Sequence, residues 1–391
     1  MSVTAAQGFV ASGVAAGLKS TGAKDVTVVV NDGPLKVAAG VFTTNRIEAA
    51  PVTWSRQVAS DGRVDAVVLN SGGANACTGP EGFADTHHTA EHLATQLQAT
   101  GRDVGPGDVV VCSTGLIGVR LPMDSLLAGV DSAVASLDAE GGQAAAEGIM
   151  TTDSVPKQAA FHGDGWTAGG MAKGAGMLAP GMATMLCVVT TDAVVDPATA
   201  KAALASAVSR TLNRVDSDGC MSTNDTVVLM ASGASAVSPE ASAFEARLTE
   251  VLASLSRQLV ADAEGASHDI AVTIVNATTE AAAEAVARAI TRSNLFKAAI
   301  FGNDPNWGRI IAAAGTVPES VAPFDPRTID VSVNGVQVCR NAGVGDDRDL
   351  VDLTGREVLV EVDLKAGHAS ATIWTNDLTH DYVHENSAYS S

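Results

Sequence analysis

The sequence predicts an α/β or α+β protein. Short strand-like runs alternate with Ala-rich helical ones, and some of the strands are apolar at nearly every position. At 391 residues, 46% hydrophobic and 17% charged, the chain can bury one large core or two moderate ones. Aromatics make up only 4%, so that core must be built mainly from Ala, Val, Leu and Ile.

Taken in order, the N-terminus MSVTAAQGFVASGVAAGLKS lacks a charged start followed by an apolar run, and no apolar run reaches the length of a membrane span. A cytoplasmic location is expected. Two early strands, 66–70 (AVVLN) and 108–112 (DVVVC), each feed a Gly-rich loop, SGGANACTG (71–79) and STGLIG (113–118). Small residues after a buried strand let backbone N–H groups face a ligand; they also make ordinary tight turns. Between the two strands a helix from about Asp85 to Ala99 carries His87, His88, Glu91 and His92, opposite an apolar face of Phe83, Ala90, Leu93 and Leu97. His88 and His92 are spaced i, i+4 but lack the HExxH pattern, so a solvated face is expected rather than a metal site.

MTTD (150–153) and KGAGMLAPGMA (173–183) lead into TMLCVVTTD (184–192), whose continuous apolarity suits a strand covered on both faces. Asp196 caps a helix that opens with Pro197. A strand at 226–230 follows CMSTND, and an amphipathic helix runs from about Phe244 to Ala263 with Phe244, Leu248, Val251, Leu255 and Leu259 as its buried stripe. It ends in DAEG. Asp262 and Glu264 there oppose the helix dipole, which points to a task for one of them other than helix stability. From about 269 the pattern reads as a smaller α/β lobe, to about 375: strand 269–275, helix 280–292, then strands 329–333, 357–362 and 369–374. Within it GNDPNWGR (302–309) reads as a turn around an exposed Trp307.

The net charge of −20 speaks against nucleic acid and anionic membranes as partners. Cys77, Cys112, Cys187, Cys220 and Cys339 are odd in number and form no CxxC pair, so buried reduced thiols are expected rather than disulfides or a zinc site. No GxxxxGK[ST] run supports nucleotide binding.

The segment richest in chemical meaning is KGAGMLAPGMATML. A Gly-rich, Pro-containing stretch runs directly into a buried strand whose first residue is Thr184. Threonine is a common strand former, which explains its presence without function. If the Ala183–Thr184 bond were cut, however, Thr184 would carry a free α-amine beside its own hydroxyl, and an amine titrating near 8 can activate that weak nucleophile.

This segment, together with CSTGLIG, IMTTD, ADAEG, DPNWGR and a terminal ENSAYSS, resembles the ornithine acetyltransferase family. The motifs run in family order over essentially the whole chain. The resemblance implies an α/β (α+β) layered sandwich related to N-terminal-nucleophile hydrolases, and self-cleavage into an α chain (1–183) and a β chain (184–391) that assemble as α2β2. It implies that Thr184 takes acetyl from N2-acetylornithine and passes it to glutamate by a ping-pong cycle. Some members also use acetyl-CoA, and no residue here decides that. Thr114 and Gly115 match the oxyanion hole. Thr151, Lys173, Glu264, Asn386 and Ser391 match substrate-contacting positions, and no cofactor or metal is implied. The alternatives are an N-terminal-nucleophile amidohydrolase or aminopeptidase, which would pass the acyl group to water, and a nonenzymatic amino-acid-binding protein.

Overall fold

The computed structural model describes residues 2–179 and 185–388. Two sheets lie face to face. The first has four strands in the order β1 (Phe9–Val14), β2 (Val26–Asn31), β4 (Ala66–Asn70) and β5 (Val109–Ser113), antiparallel except for the parallel β4–β5 pair. The second has five, in the order β3 (Val37–Phe42), β9 (Thr226–Ala231), β8 (Leu186–Thr191), β7 (Trp166–Lys173) and β6 (Lys157–Gly163); only β8–β9 is parallel.

Strand periodicity explains the layering. Successive side chains point to opposite faces, so a strand covered on both sides must be apolar throughout. In β4, Val67 and Leu69 face the second sheet while Ala66 and Val68 face away from it. In β8, Leu186 and Val188 meet the first sheet, and Cys187 and Val189 face the opposite way. The outer face of the first sheet is covered by α2 (Gly79–Ala99) through Leu93 and Leu97 and by α3 (Met123–Ala135) through Leu126 and Val130. The second sheet is covered by α5 (Pro197–Arg210) and α6 (Ala241–Ala261), whose Phe244, Leu248, Val251, Leu255 and Leu259 are all buried. The result is a helix–sheet–sheet–helix sandwich, in the expected α/β class.

Two short helices complete it. The edge strand β5 is covered by α1 (Ala50–Val58): Trp54 Nε1 and Ser55 Oγ donate to the Val109 and Val111 carbonyls at 3.0 and 2.7 Å. Between the sheets, α4 (Gly142–Gly148) packs Ala145 and Ala146 into their shared core.

The remaining sheet has six strands in the order β13 (Gly343–Val344), β12 (Val336–Arg340), β11 (Asp330–Val333), β14 (Glu357–Asp363), β10 (Asp269–Ala277) and β15 (Ala369–Asn376). Its own core includes residues of α7 (Glu280–Thr291), α8 (Asn294–Phe301) and α9 (Trp307–Ala314). Along β14 exposure alternates residue by residue, so this sheet is wet on its other face. A last helix, α10 (His380–Ala388), is capped by Thr379, whose hydroxyl accepts from the Tyr382 N–H at 2.9 Å.

Several expectations need correction. The first long helix begins at Gly79 rather than Asp85, and Phe83 is 39% exposed, packing edge-on against Trp54 instead of joining the buried stripe. Trp307 is half-buried against the six-stranded sheet's core and opens α9, because Asn306 caps that helix. Of the cysteines, Cys112, Cys187 and Cys339 are buried, but Cys77 and Cys220 are exposed; all five are free thiols. Asp196 does cap α5, accepting from the Ala198 and Thr199 N–H groups.

Candidate active site

Thr114 and Gly115 follow directly from the end of β5. Lys173 is the last residue of β7. Thr151 lies in the turn after α4, and Glu264 just beyond the end of α6. Asn386 comes from α10. These six residues, drawn from five separate parts of the chain, line a single pocket, which Thr152, Gly176 and Met177 complete. Ala183, Thr184 and Ser391 lie outside the described residues. A larger cleft of about 500 Å3 lies beside β3, α1 and the start of α5, with Arg56, Asp61 and Lys201 on its walls. Size does not make it the site, since it gathers none of the motif residues.

The pocket floor is electrostatically unusual. Lys173 and Thr114 are 1% and 2% exposed, and Lys173 Nζ donates to Thr114 Oγ1 at 3.0 Å. An ammonium can only donate, so Thr114 uses an oxygen lone pair here and keeps its own proton for another acceptor. Burial holds the Lys173 pKa below the ordinary lysine value, against the opposing pull of Asp153, Asp225 and Glu264.

Asp153 organises three neighbours. Its Oδ1 accepts from Lys157 Nζ at 2.6 Å and from the Gly174 N–H at 2.7 Å, while Oδ2 accepts from the Thr151 N–H at 2.9 Å. Burial pushes this carboxyl up, but the Lys173 and Lys157 charges and the Gly174 N–H outweigh it and hold it below the usual range. Lys157 is fully buried and also bonds Asp262 at 2.5 Å. Both acids of the DAEG turn therefore have partners: Asp262 completes this buried pair, and Glu264 turns to the pocket, where Oε2 accepts from Asn386 Nδ2 at 2.9 Å.

Two glycines make the arrangement possible. Gly115 has φ +132°, and a Cβ there would stand 2.8 Å from the Gly73 nitrogen. A Cβ on Gly176 would stand 2.6 Å from the Glu264 carboxylate, so only glycine lets that acid lie against the loop.

Sequence reading did not single out Asp153, Lys157 or Asp225. The first lay inside the MTTD motif and the third inside CMSTND, which were the available signals; Lys157 had none. The histidines of α2 play no part in the pocket. His92 pairs with Asp131 at 2.6 Å, His87 stacks on Trp54, and no group of three metal-type ligands occurs among the described residues. Nor, among those residues, is any helix long and apolar enough to cross a membrane.

Residues 10–391 match the ArgJ family. The chain is 59% identical to the arginine biosynthesis bifunctional protein ArgJ of Streptomyces coelicolor and 60% identical to that of Thermobifida fusca, with all of both chains covered in each case. A solved chain of the ornithine acetyltransferase of Mycobacterium tuberculosis, crystallised with ornithine, is 61% identical; that match covers 46% of this chain and 94% of the other, with a TM-score of 0.45.

Proposed function

The chain belongs to the ArgJ family and is an acyltransferase of arginine biosynthesis, and on that premise we propose a self-cleaving enzyme with Thr184 as its acetyl carrier. Cleavage of the Ala183–Thr184 bond divides the precursor into chains 1–183 and 184–391, which assemble as α2β2. The Thr184 amine then takes the hydroxyl proton, and Oγ attacks the acetyl carbonyl of N2-acetylornithine. The tetrahedral intermediate collapses to an acetyl ester and free ornithine. Glutamate attacks the ester through its own amine, giving N-acetylglutamate and restoring the hydroxyl.

The observation that carries this reading is the convergence of Thr114, Gly115, Thr151, Lys173, Glu264 and Asn386 on one pocket. Each then has a task its chemistry allows. Thr114, whose oxygen already accepts from Lys173, donates its own proton to the developing alkoxide beside the Gly115 N–H. Glu264 receives the substrate ammonium. Lys173, Thr151, Asn386 and Ser391 serve the carboxylate. Acetyl-CoA is a second donor in this scheme, reaching the same ester. A cytoplasmic location belongs to the reading, and the exposed free thiols of Cys77 and Cys220 suit a reducing compartment.

The test is to incubate the enzyme with acetylornithine, with and without glutamate, and follow ornithine, N-acetylglutamate and acetate. Transfer requires that ornithine release depend on glutamate and that little acetate form. Equal release without glutamate would show a hydrolase instead. Replacing acetylornithine by acetyl-CoA in the same assay decides the second donor.

A further inference from the structure

The pocket is polar almost throughout. Thr114, Thr151, Thr152, Lys173, Glu264 and Asn386 line it with hydroxyls, an ammonium, a carboxylate and an amide, and Gly115 and Gly176 bring only backbone. Met177 is the exception. Among the described residues that line the pocket, it alone carries a large apolar side chain, and it is 38% exposed.

The Met177 backbone is unusual as well. Its φ is +54°, in the left-handed region that favours glycine and, among other residues, Asn and Asp. Such a conformation persists where the surroundings over-determine it, and it is often found at functional sites. Here the chain is pinned on both sides. Upstream, the Gly174 N–H donates to Asp153 Oδ1 at 2.7 Å, and the Ala175 carbonyl accepts from the Glu264 N–H at 3.0 Å. Downstream, Leu178 is fully buried with Val215, Val260 and Ala263, and its carbonyl accepts from the Ser217 N–H at 2.5 Å.

Asp218 holds the turn between these anchors. Burial pushes its carboxyl up, while hydrogen bonds from the Cys220, Leu178 and Met177 N–H groups pull it down. Its own loop is fixed from the six-stranded sheet and its helices: Ser217 Oγ donates to Asn376 Oδ1 of β15 at 2.7 Å, and Lys297 Nζ of α8 donates to the Ser217 carbonyl. Met177 is therefore presented to the pocket by a rigid frame rather than left there by a loose loop.

We propose that Met177 determines substrate specificity by forming the apolar wall along which the methylene chain of the amino-acid substrate lies, with Asp218 as the residue that positions it. This rests on the transferase reading above. That reading asks one pocket to accept two amino acids whose linear chains differ in length and end in opposite charges, ornithine in an ammonium and glutamate in a carboxylate. The polar lining serves the charged ends. The chain between them needs an apolar surface, and Met177 supplies it. An unbranched thioether adapts to chains of unequal length and adds no charge that would favour one end over the other. Asp218 acts through the Met177 and Leu178 peptides.

The experiment measures competitive inhibition of acetyl transfer from acetylornithine to glutamate by alanine, α-aminobutyrate and norvaline. Each member of this series adds one methylene and no charge. In wild type each addition should tighten inhibition by about threefold, most of the roughly fourfold that a fully buried methylene gives. Met177→Ala should flatten the series to under about 1.5-fold per methylene. Met177→Leu, which keeps volume and apolarity, should preserve it. Asp218→Ala should flatten it as Met177→Ala does. General damage to the pocket weakens every inhibitor alike and leaves the increment unchanged. A wild-type increment in Met177→Ala, or no increment in wild type, overturns the proposal and leaves the transferase reading standing. A wild-type increment in Asp218→Ala overturns the positioning role. If Asp218→Ala does not fold, Asp218→Asn, with one acceptor oxygen in place of two, is read instead and should fall between wild type and Met177→Ala. Ornithine release by wild type that is equally fast without glutamate overturns the transferase reading and this proposal with it.

Discussion

Replacing Asp153 by Asn tests the electrostatic account of the pocket floor. The substitution keeps the shape and removes one negative charge from among Lys157, 0% exposed, and Lys173, 1% exposed. It also turns an NH2 group toward either the Gly174 or the Thr151 N–H, both of which now donate to the carboxylate. Breaking a buried ion pair by removing one partner costs about 3–5 kcal/mol. Lys157 keeps its bond to Asp262, so the lower end, about 3 kcal/mol, is expected. The assay is urea unfolding of Asp153→Asn in an uncut Thr184→Ala background against that background alone, with the midpoint shifting at unchanged slope. The pH dependence has a definite sign. The folded carboxyl is held below its ordinary pKa. Its contribution is therefore present above the unfolded value near 3.9 and is lost as pH falls through the folded value. The gap between the two proteins should be full at pH 7 and close below about pH 4. A gap under about 1 kcal/mol at pH 7, or one that widens in acid, would refute the reasoning.

Further outcomes follow from the same geometry. Gly115→Ala should lower acetyl transfer by about 10²–10³-fold, because the new Cβ meets the Gly73 nitrogen and moves an oxyanion donor; steady-state kinetics reads this as a fall in kcat. Lys173→Met removes the donor to Thr114 Oγ1 while keeping length and apolar bulk, and should cost kcat about 10²-fold. Glu264→Gln should raise KM for acetylornithine by about 10–100-fold through the lost charge-assisted contact. Gly176→Ala should imitate it, since its Cβ would displace the Glu264 carboxylate; an unchanged KM in Gly176→Ala would argue against Glu264 as the ammonium acceptor.

Much of the sandwich could be read locally. β4, β8 and β9 are apolar at successive positions because each is covered on both faces, and that signal needs no knowledge of what covers them. Asp196 and Pro197 announced α5 for the same reason: a cap acts within one turn. What escaped was non-local or weakly patterned. β1, with Gly and Ser among its six residues, carries no clear alternation. α10 buries none of its described residues, so it has no apolar stripe to detect, and it is held instead by Thr379 and by Asn386 reaching Glu264. Phe83 was assigned to the buried side by spacing alone, whereas Trp54 from α1 offers it an edge contact at the surface.

The pocket divides in the same way. Thr114, Gly115, Thr151, Lys173, Glu264 and Asn386 came from motifs, and the penalty of acids at the end of α6 was visible as physics before any partner was known. That Asp262, at the end of α6, answers a buried Lys157 on β6, or that Asp225 reaches back to the Met185 amide, depends on residues 105 and 40 positions away. No local pattern encodes such pairs.

The central claim is that Thr184 becomes an N-terminus and works from there. Intact-mass spectrometry under denaturing conditions, on wild type beside Thr184→Ala, tests it most directly. The account predicts two wild-type fragments, the second beginning at Thr184, and a single uncut chain in the variant that neither cleaves nor transfers acetyl. A single uncut wild-type chain that still transfers acetyl to glutamate would contradict it, because the nucleophile would then have no amine of its own to act as base.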